Sequence, residues 1–221
     1  MANTSINELS KSLETLYLDG KLEEAVDFLL KNKPVLSPID FHYNLGVVYT
    51  KLGQFGPGRY QFELAMKEGY LGSDILNNLN VIKSQIQVAD ISSSDHFYDQ
   101  LLNTFSSIPM AYSFSIALVL ILTLLILFRV KLLKSKKFLA VSIFFSLTPI
   151  ALHSYFITGK SFAISINEMK IYEGPSAIYD VKQTMPGGAK FITGKSDKGW
   201  FYIDYPVEIS GWVKKEDIGL L

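Results

Sequence analysis

Two long uncharged apolar stretches, separated by a short basic segment, constrain this chain more than any other feature. The first runs from Leu101 to Phe128 without an Asp, Glu, Lys or Arg, and the second from Phe138 to Gly159 in the same way. At about 1.5 Å per helical residue, each can cross a hydrocarbon core of roughly 30 Å. Because backbone polar groups cannot stay unpaired in lipid, the pattern predicts a transmembrane helical hairpin over 108–159, with spans at about 108–129 and 138–158.

The segment between the spans, residues 129–137, predicts the orientation of the hairpin. It carries five basic residues and no acid, whereas few basic residues lie next to the other ends of the spans. Short loops rich in Lys and Arg stay cytoplasmic. We therefore expect a bacterial inner-membrane protein with this loop in the cytoplasm and both termini in the periplasm. The residues expected to determine this topology are Arg129, Lys131, Lys134, Lys136 and Lys137.

Three arrangements stay open for the N-terminal domain, because the first 20 residues have neither the basic segment nor the apolar core of a signal peptide. A signal could lie outside this sequence, or the first span could carry the tail across the membrane. In the third arrangement, the charge rule fails and both soluble domains are cytoplasmic.

Two residues of the second span have separate consequences. Pro149 predicts a kink in the helix, because proline cannot donate a backbone hydrogen bond. His153 has no Asp, Glu, Lys or Arg beside it in either span. A chain of titratable groups for proton movement is thus missing, and a hydrogen bond at the membrane interface or between helices is the favoured interpretation.

Composition narrows the function further. Residues 1–107 hold 8 basic and 13 acidic side chains and residues 160–221 hold 8 of each, so neither soluble part is a basic nucleic-acid-binding surface. The absence of cysteine excludes disulfides and thiolate chemistry. No nucleophile–base set, metal-ligand spacing or phosphate-binding loop is visible, so we expect neither enzymatic activity nor a cofactor or metal.

Residues 1–90 show helix-period apolar spacing and an internal repeat. Asn44 recurs as Asn78 after 34 residues, and Gly20 recurs as Gly53 after 33. The best-defined unit is Leu45-Gly46-x-x-Tyr49, Leu52-Gly53, Phe55, Gly58, Phe62 and Ala65. This unit resembles the tetratricopeptide (TPR) repeat, a helix–turn–helix. About two and a half repeats are few for a stable array, so we expect it to lean on the membrane, on the C-terminal domain or on a partner.

The TPR resemblance implies a groove that binds peptides or protein segments along the first helix of each unit. The candidate contact residues are Asp40, Tyr43, Asn44, Val47, Lys51, Asn77, Asn78 and Val81. The alternative is that these side chains only form solvated helix faces or local caps. Residues 91–107 follow as an expected linker into the membrane.

Residues 160–221 change to short alternating segments separated by Gly- and Pro-rich turns, which predicts five or six strands and a small barrel. The elements Gly188-x-x-Phe191, Gly199-Trp200 and Gly211-Trp212 resemble the bacterial SH3-like domain. That resemblance implies an aromatic surface for extended peptides, although in so small a domain the same aromatics could pack the core. The candidates are Tyr172, Trp200, Tyr202, Tyr205 and Trp212.

The expected fold class is thus a multidomain membrane protein: all-α TPR-like helical repeats, a two-helix transmembrane hairpin and a small all-β SH3-like barrel. This order resembles the BatE-type proteins of the bacterial Bat (aerotolerance) operons. The resemblance spans the whole chain and rests on architecture. It implies a non-enzymatic scaffold that binds von Willebrand A-domain proteins and a MoxR-type ATPase. The alternative is a membrane protein that senses or anchors to cell-wall (peptidoglycan) peptide through the SH3-like domain.

Overall fold

The structure is a computed structural model that describes residues 2–86 and 91–221. The predicted boundary at residue 90 therefore lies outside the described residues. The helices are α1 (Ala2–Leu18), α2 (Leu22–Asn32), α3 (Pro38–Lys51), α4 (Phe55–Lys67), α5 (Ser73–Ile86), α6 (Phe97–Ser107), α7 (Met110–Arg129), α8 (Lys136–Ser146) and α9 (Thr148–Ile157). The strands are β1 (Ser161–Ser165), β2 (Met169–Tyr172), β3 (Val181–Met185), β4 (Lys190–Asp197), β5 (Trp200–Tyr205), β6 (Gly211–Lys214) and β7 (Ile218–Leu220).

Helices α1 to α5 form the helix–turn–helix array that the repeat predicts. Gly20 and Gly53 occupy equivalent turns with φ of 73° and 75°, a conformation that glycine adopts without a steric penalty. A Cβ added to Gly46 would lie 2.7 Å from the Phe62 ring, so this glycine lets α3 and α4 pack closely.

All seven strands form one antiparallel sheet in the order β3-β2-β6-β5-β4-β1-β7. The sequence predicted five or six strands. Each strand places at least one side chain in a single apolar core, so the sheet curls around that core. Within the described pairings β3 and β7 do not meet, and they form the two ends of the sheet.

Helices α7 and α8–α9 form the predicted helical hairpin. Each arm, Met110–Arg129 and Lys136–Ile157, is long and apolar enough to cross a membrane. The second arm is interrupted between Ser146 and Thr148, next to Pro149, where the sequence predicts a kink. His153 is buried and lies 3.0 Å from the Ser113 hydroxyl of α7, which confirms the expected hydrogen bond between helices.

The segment 91–107, expected as a linker into the membrane, contains a packed helix. Its residues 97–107 form α6, whose Leu102 is fully buried beside Phe156 of α9 and Ile192 of β4. Ser94 donates a 2.7 Å hydrogen bond to the buried Asp99 carboxylate. The segment therefore packs as part of the junction between the hairpin and the sheet.

The helical array also leans on the C-terminal domain, one of the three supports expected for so short an array. Gly56 at the start of α4 lies against the backbone of the β1–β2 turn, where an added Cβ would be 2.6 Å from the Ser165 carbonyl oxygen and in contact with the Ile166 carbonyl oxygen. Tyr60 of α4 covers Gly219 of β7, and its hydroxyl donates a 3.2 Å hydrogen bond to the Leu220 carbonyl oxygen. The end strand β7 is thereby covered by α4.

Candidate binding surfaces

An open recess of about 280 Å³ lies between α1 and α3. Three predicted groove residues, Tyr43, Asn44 and Val47, line it from α3 and are each half-buried. The helix period places them on one face, because residues three and four apart are neighbours on a helix. The opposite wall comes from α1 and consists of Ser10, Leu13, Glu14 and Tyr17.

Tyr43 connects this recess to α5. Its ring lies 4.9 Å from the Tyr70 ring, centroid to centroid, and the Tyr70 hydroxyl donates a 2.7 Å hydrogen bond to Asp74 of α5. Burial, followed by the Asp74 interaction, raises the pKa of Tyr43, and Asn78 opposes this rise, while the hydroxyls of Tyr43 and Tyr70 lower the pKa of Asp74. The Tyr43 ring thus packs against the apolar cluster that α4 and α5 share, next to Asp74.

The other predicted groove residues are less closely associated with the recess. The Asp40 carboxylate accepts a 2.7 Å hydrogen bond from the Ser37 hydroxyl at the start of α3, which is a local capping role. The Asp40 carbonyl oxygen accepts a 2.8 Å hydrogen bond from Nδ2 of Asn44, the neighbouring residue that does line the recess. Lys51, Asn77 and Val81 are exposed and do not line the recess.

Four of the five predicted aromatic residues form one patch on the outer face of β2, β6 and β5, in which Tyr172 is buried and the other three are half-buried. Tyr172 pairs in register with Trp212, which pairs with Tyr202. The rings of Tyr202 and Trp212 meet edge to face with 5.4 Å between their centroids, and those of Tyr172 and Trp200 with 5.1 Å. Their strand neighbours Ile171, Phe201, Ile203 and Val213 point into the core, as the two-residue strand period requires.

Tyr205, the fifth predicted aromatic residue, does not belong to this patch. Its ring lies 5.8 Å from Tyr98 of α6, in the apolar junction with α9. The sequence could not separate it from the others, because its partners lie on helices more than 40 residues away along the chain.

A recess next to Trp200 adds charge to the aromatic patch. It has a volume of about 600 Å³ and is lined by Lys198, Gly199, Trp200, Lys214, Lys215 and Glu216. Glu216 accepts a 3.1 Å hydrogen bond from Lys214. The patch therefore combines flat aromatic rings with a rim of mostly cationic side chains, an arrangement suited to a ligand with both apolar and anionic groups.

A buried charged cluster fixes the helical array to the sheet. Lys190 of β4 donates hydrogen bonds to Glu63 of α4 at 2.7 Å and to Ser107 of α6 at 3.0 Å. Arg59 of α4 donates to the Gly188 carbonyl oxygen at 2.6 Å and to the Ser92 hydroxyl at 2.8 Å. Burial raises the pKa of Glu63, but the charges of Lys190 and Arg59 outweigh burial, so this pKa lies below its ordinary value.

The only sequence signal for this cluster is the i, i+4 spacing of Arg59 and Glu63, which is typical of an ion pair. Arg59, Glu63 and Lys190 are almost fully buried and join α4, α6 and β4. The recess between α1 and α3 and the aromatic patch on the sheet therefore belong to one packed unit. Within the described part of the chain, no group of three or more His, Asp or Glu could hold a metal ion.

Comparison with known proteins gives no assignment: no family model matches the chain, and no curated protein or solved structure shows a significant match.

Proposed function

We propose that this chain is a non-catalytic scaffold of the bacterial inner membrane that binds partner proteins through TPR-like and SH3-like periplasmic domains. The proposal rests mainly on the open recess between α1 and α3, lined by Tyr43, Asn44 and Val47. Half-buried aromatic and apolar side chains beside a polar amide suit a peptide segment, whose backbone needs hydrogen bonds and whose side chains need apolar contact.

The junction between the domains supports the scaffold role. A scaffold is useful if its surfaces keep a fixed relation, and here Lys190 and Glu63 join the sheet to the array through a 2.7 Å hydrogen bond. The exposed apolar faces of α7 and α8 supply the anchor, with Leu118 56 % exposed and Phe144 71 % exposed. The partners that follow from the BatE-type resemblance are von Willebrand A-domain membrane proteins and a MoxR-type ATPase.

The test is co-purification of partners with the tagged full chain in detergent. Asn44→Ala removes a polar group that lines the recess, and we expect specific partners to be lost. The matched control is Asn32→Ala on α2, which does not line the recess. Asn32 and Asn44 each donate a 2.8 Å hydrogen bond to a carbonyl oxygen of their own helix, so both variants lose the same local contact. Equal partner recovery from both variants would contradict binding at the recess.

A second candidate function follows from the lysine-rimmed aromatic patch. Cell-wall peptides carry carboxylates, and the Trp200 recess offers Lys198, Lys214 and Lys215 beside an aromatic ring. The full chain would then be retained on purified cell wall, and Tyr202→Ala would weaken retention. Tyr179→Ala is the control, because Tyr179 is 48 % exposed and contacts Gly174 rather than the patch. Absence of retention by the unaltered chain would remove this candidate.

A further inference from the structure

The basic turn of the hairpin contains a recess of its own. It has a volume of about 690 Å³ and lies against the C-terminal end of α7. Apolar and cationic side chains line it together: Leu125, Phe128, Leu133, Arg129, Lys131 and Lys134. Lys136 and Lys137, the other two cations of the turn, start α8 and do not line it.

The backbone of the turn explains why these side chains meet. Lys131 has a φ of 61°, the left-handed conformation that commonly ends a helix. The amides of Leu132 and Leu133 then both donate to the Leu127 carbonyl oxygen, at 3.0 and 3.1 Å. The chain therefore folds back over the last turn of α7, and Lys131 and Lys134 are brought to the same recess as Arg129.

The charges of this turn have no acidic counterpart in the parts of the chain that the structure describes. The ion pairs there involve none of the five basic residues of the turn. Three cations around one concavity match the charge of a phosphate group and supply several donors for its oxygens. The α7 C-terminus, with its carbonyl dipoles, favours the cations at this end but would repel a bare anion, so the side chains must carry the binding.

The apolar side of the recess narrows the choice of ligand. Leu125 is 44 % exposed and continues into the apolar surface of α7, where Ile126 is 62 % exposed. A small inorganic anion would use only the cationic side. A phospholipid would use both, with its phosphate beside Arg129, Lys131 and Lys134 and an acyl chain along Leu125 and Phe128.

We propose that this recess binds the headgroup of an anionic phospholipid in the cytoplasmic leaflet. The proposal rests on the membrane hairpin of the proposed function and adds a defined lipid site to it. A site of this kind would hold the hairpin at a fixed depth, because the phosphate would be bound at the last turn of α7. An experiment can distinguish binding at this defined recess from general attraction to the total positive charge of the turn.

The experiment uses the purified full chain in detergent micelles, with retained lipid measured by native mass spectrometry. Dioleoyl phosphatidylglycerol is compared with dioleoyl phosphatidylcholine. We expect the anionic lipid to be retained preferentially, and Lys131→Gln with Lys134→Gln to weaken its binding by about 30-fold. Lys136→Gln with Lys137→Gln removes the same charge from the same turn and should change binding by less than about threefold.

Three results would overturn the proposal. Equal losses in the two double variants would show diffuse charge attraction instead of a site. Equal retention of the two lipids would show that the phosphate charge is not recognised. Full displacement of the lipid by millimolar inorganic phosphate, with no effect of Phe128→Ala, would assign the recess to a free anion. Because orientation is undefined in micelles, each result is independent of topology, which is measured separately by labelling in intact cells.

Discussion

Lys190 of β4 and Glu63 of α4, 127 residues apart in the chain, form a 2.7 Å charged hydrogen bond in the buried junction between the sheet and the helical array. Lys190 is fully buried and Glu63 is 4 % exposed. A buried pair is weak evidence for added stability, but removing one partner leaves the other charge uncompensated. The pair thus makes the helical array and the sheet depend on each other.

Lys190→Met is expected to lower the free energy of unfolding by about 3 kcal/mol, because Glu63 would lose its closest cation. Urea unfolding followed by tryptophan fluorescence measures this, since Trp200 and Trp212 both lie in the sheet. The control is Lys214→Met, which removes the exposed pair with Glu216 and should cost less than about 1 kcal/mol. Similar losses in both variants would contradict a central role for Lys190.

Acid should weaken the junction in a defined pH range. The pKa of Glu63 is lower in the folded protein than its ordinary value of 4.5. The unfolded chain then binds the proton more tightly, so the stabilisation is complete above pH 4.5 and is lost as the pH falls through the lower, folded pKa. Thermal unfolding midpoints between neutral and acidic pH should fall less steeply below pH 4.5 in Glu63→Gln. The same pH dependence of the unfolding midpoint in both proteins would show that protonation of Glu63 does not weaken the junction.

Gly56→Ala is expected to loosen the contact between the array and the sheet. The added methyl group would meet the carbonyl oxygens of Ser165 and Ile166, which are backbone atoms and cannot swing aside. Overpacking of this kind costs about 1–3 kcal/mol. Hydrogen–deuterium exchange should therefore accelerate at the Gly188 amide, which donates a 2.7 Å hydrogen bond to the Ser165 carbonyl oxygen.

Gly69→Ala is the control for this exchange measurement. Gly69 has a φ of 101° and open space around it, so alanine there introduces backbone strain without touching the sheet. Faster exchange at Gly188 in Gly69→Ala as well would attribute the effect to general destabilisation.

Ser113→Ala should destabilise the hairpin by about 1 kcal/mol, because it removes the hydrogen bond to His153 between α7 and α9. Ser115→Ala, two residues further along α7, removes only a bond to the Ala111 carbonyl oxygen of its own helix. Thermal unfolding midpoints of the full chain in one detergent compare the two serines directly. A larger loss in Ser115→Ala would be inconsistent with the packing of α7 on α9.

The elements predicted correctly are those with a signal in spacing or composition. Glycines at 33-residue spacing located the turns at Gly20 and Gly53, and an uncharged run longer than a bilayer is thick located α7. Tyr43, Asn44 and Val47, which the TPR resemblance named as groove candidates, line one recess, and ligand contact there stays a prediction. Spacing and composition can be read from sequence because they do not depend on which distant residues meet in the fold.

The parts that were missed depend on distant contacts. The segment before α6 has a polar, serine-rich sequence typical of a linker, and α6 itself packs because Leu102 contacts α9 and β4. Tyr205 and Tyr202 lie on the same strand, β5. Tyr205 differs because its ring packs against Tyr98 of α6, in the junction between the hairpin and the sheet. From sequence alone a lysine such as Lys190 is expected at the surface. It is buried because Glu63, 127 residues away, is its partner.

We propose that the array and the sheet lie together on the periplasmic side of the membrane, opposite the basic turn. Because the chain has no cysteine, single-cysteine variants can be labelled at one defined position. Three exposed positions, one each in the array, the turn and the sheet, can be changed without altering charge: Ser12→Cys, Leu132→Cys and Ser196→Cys. Each is treated in intact cells with a membrane-impermeant maleimide. We predict labelling at residues 12 and 196, with labelling at residue 132 only after the membrane is permeabilised. Labelling at residue 132 alone would place both domains in the cytoplasm and contradict the account.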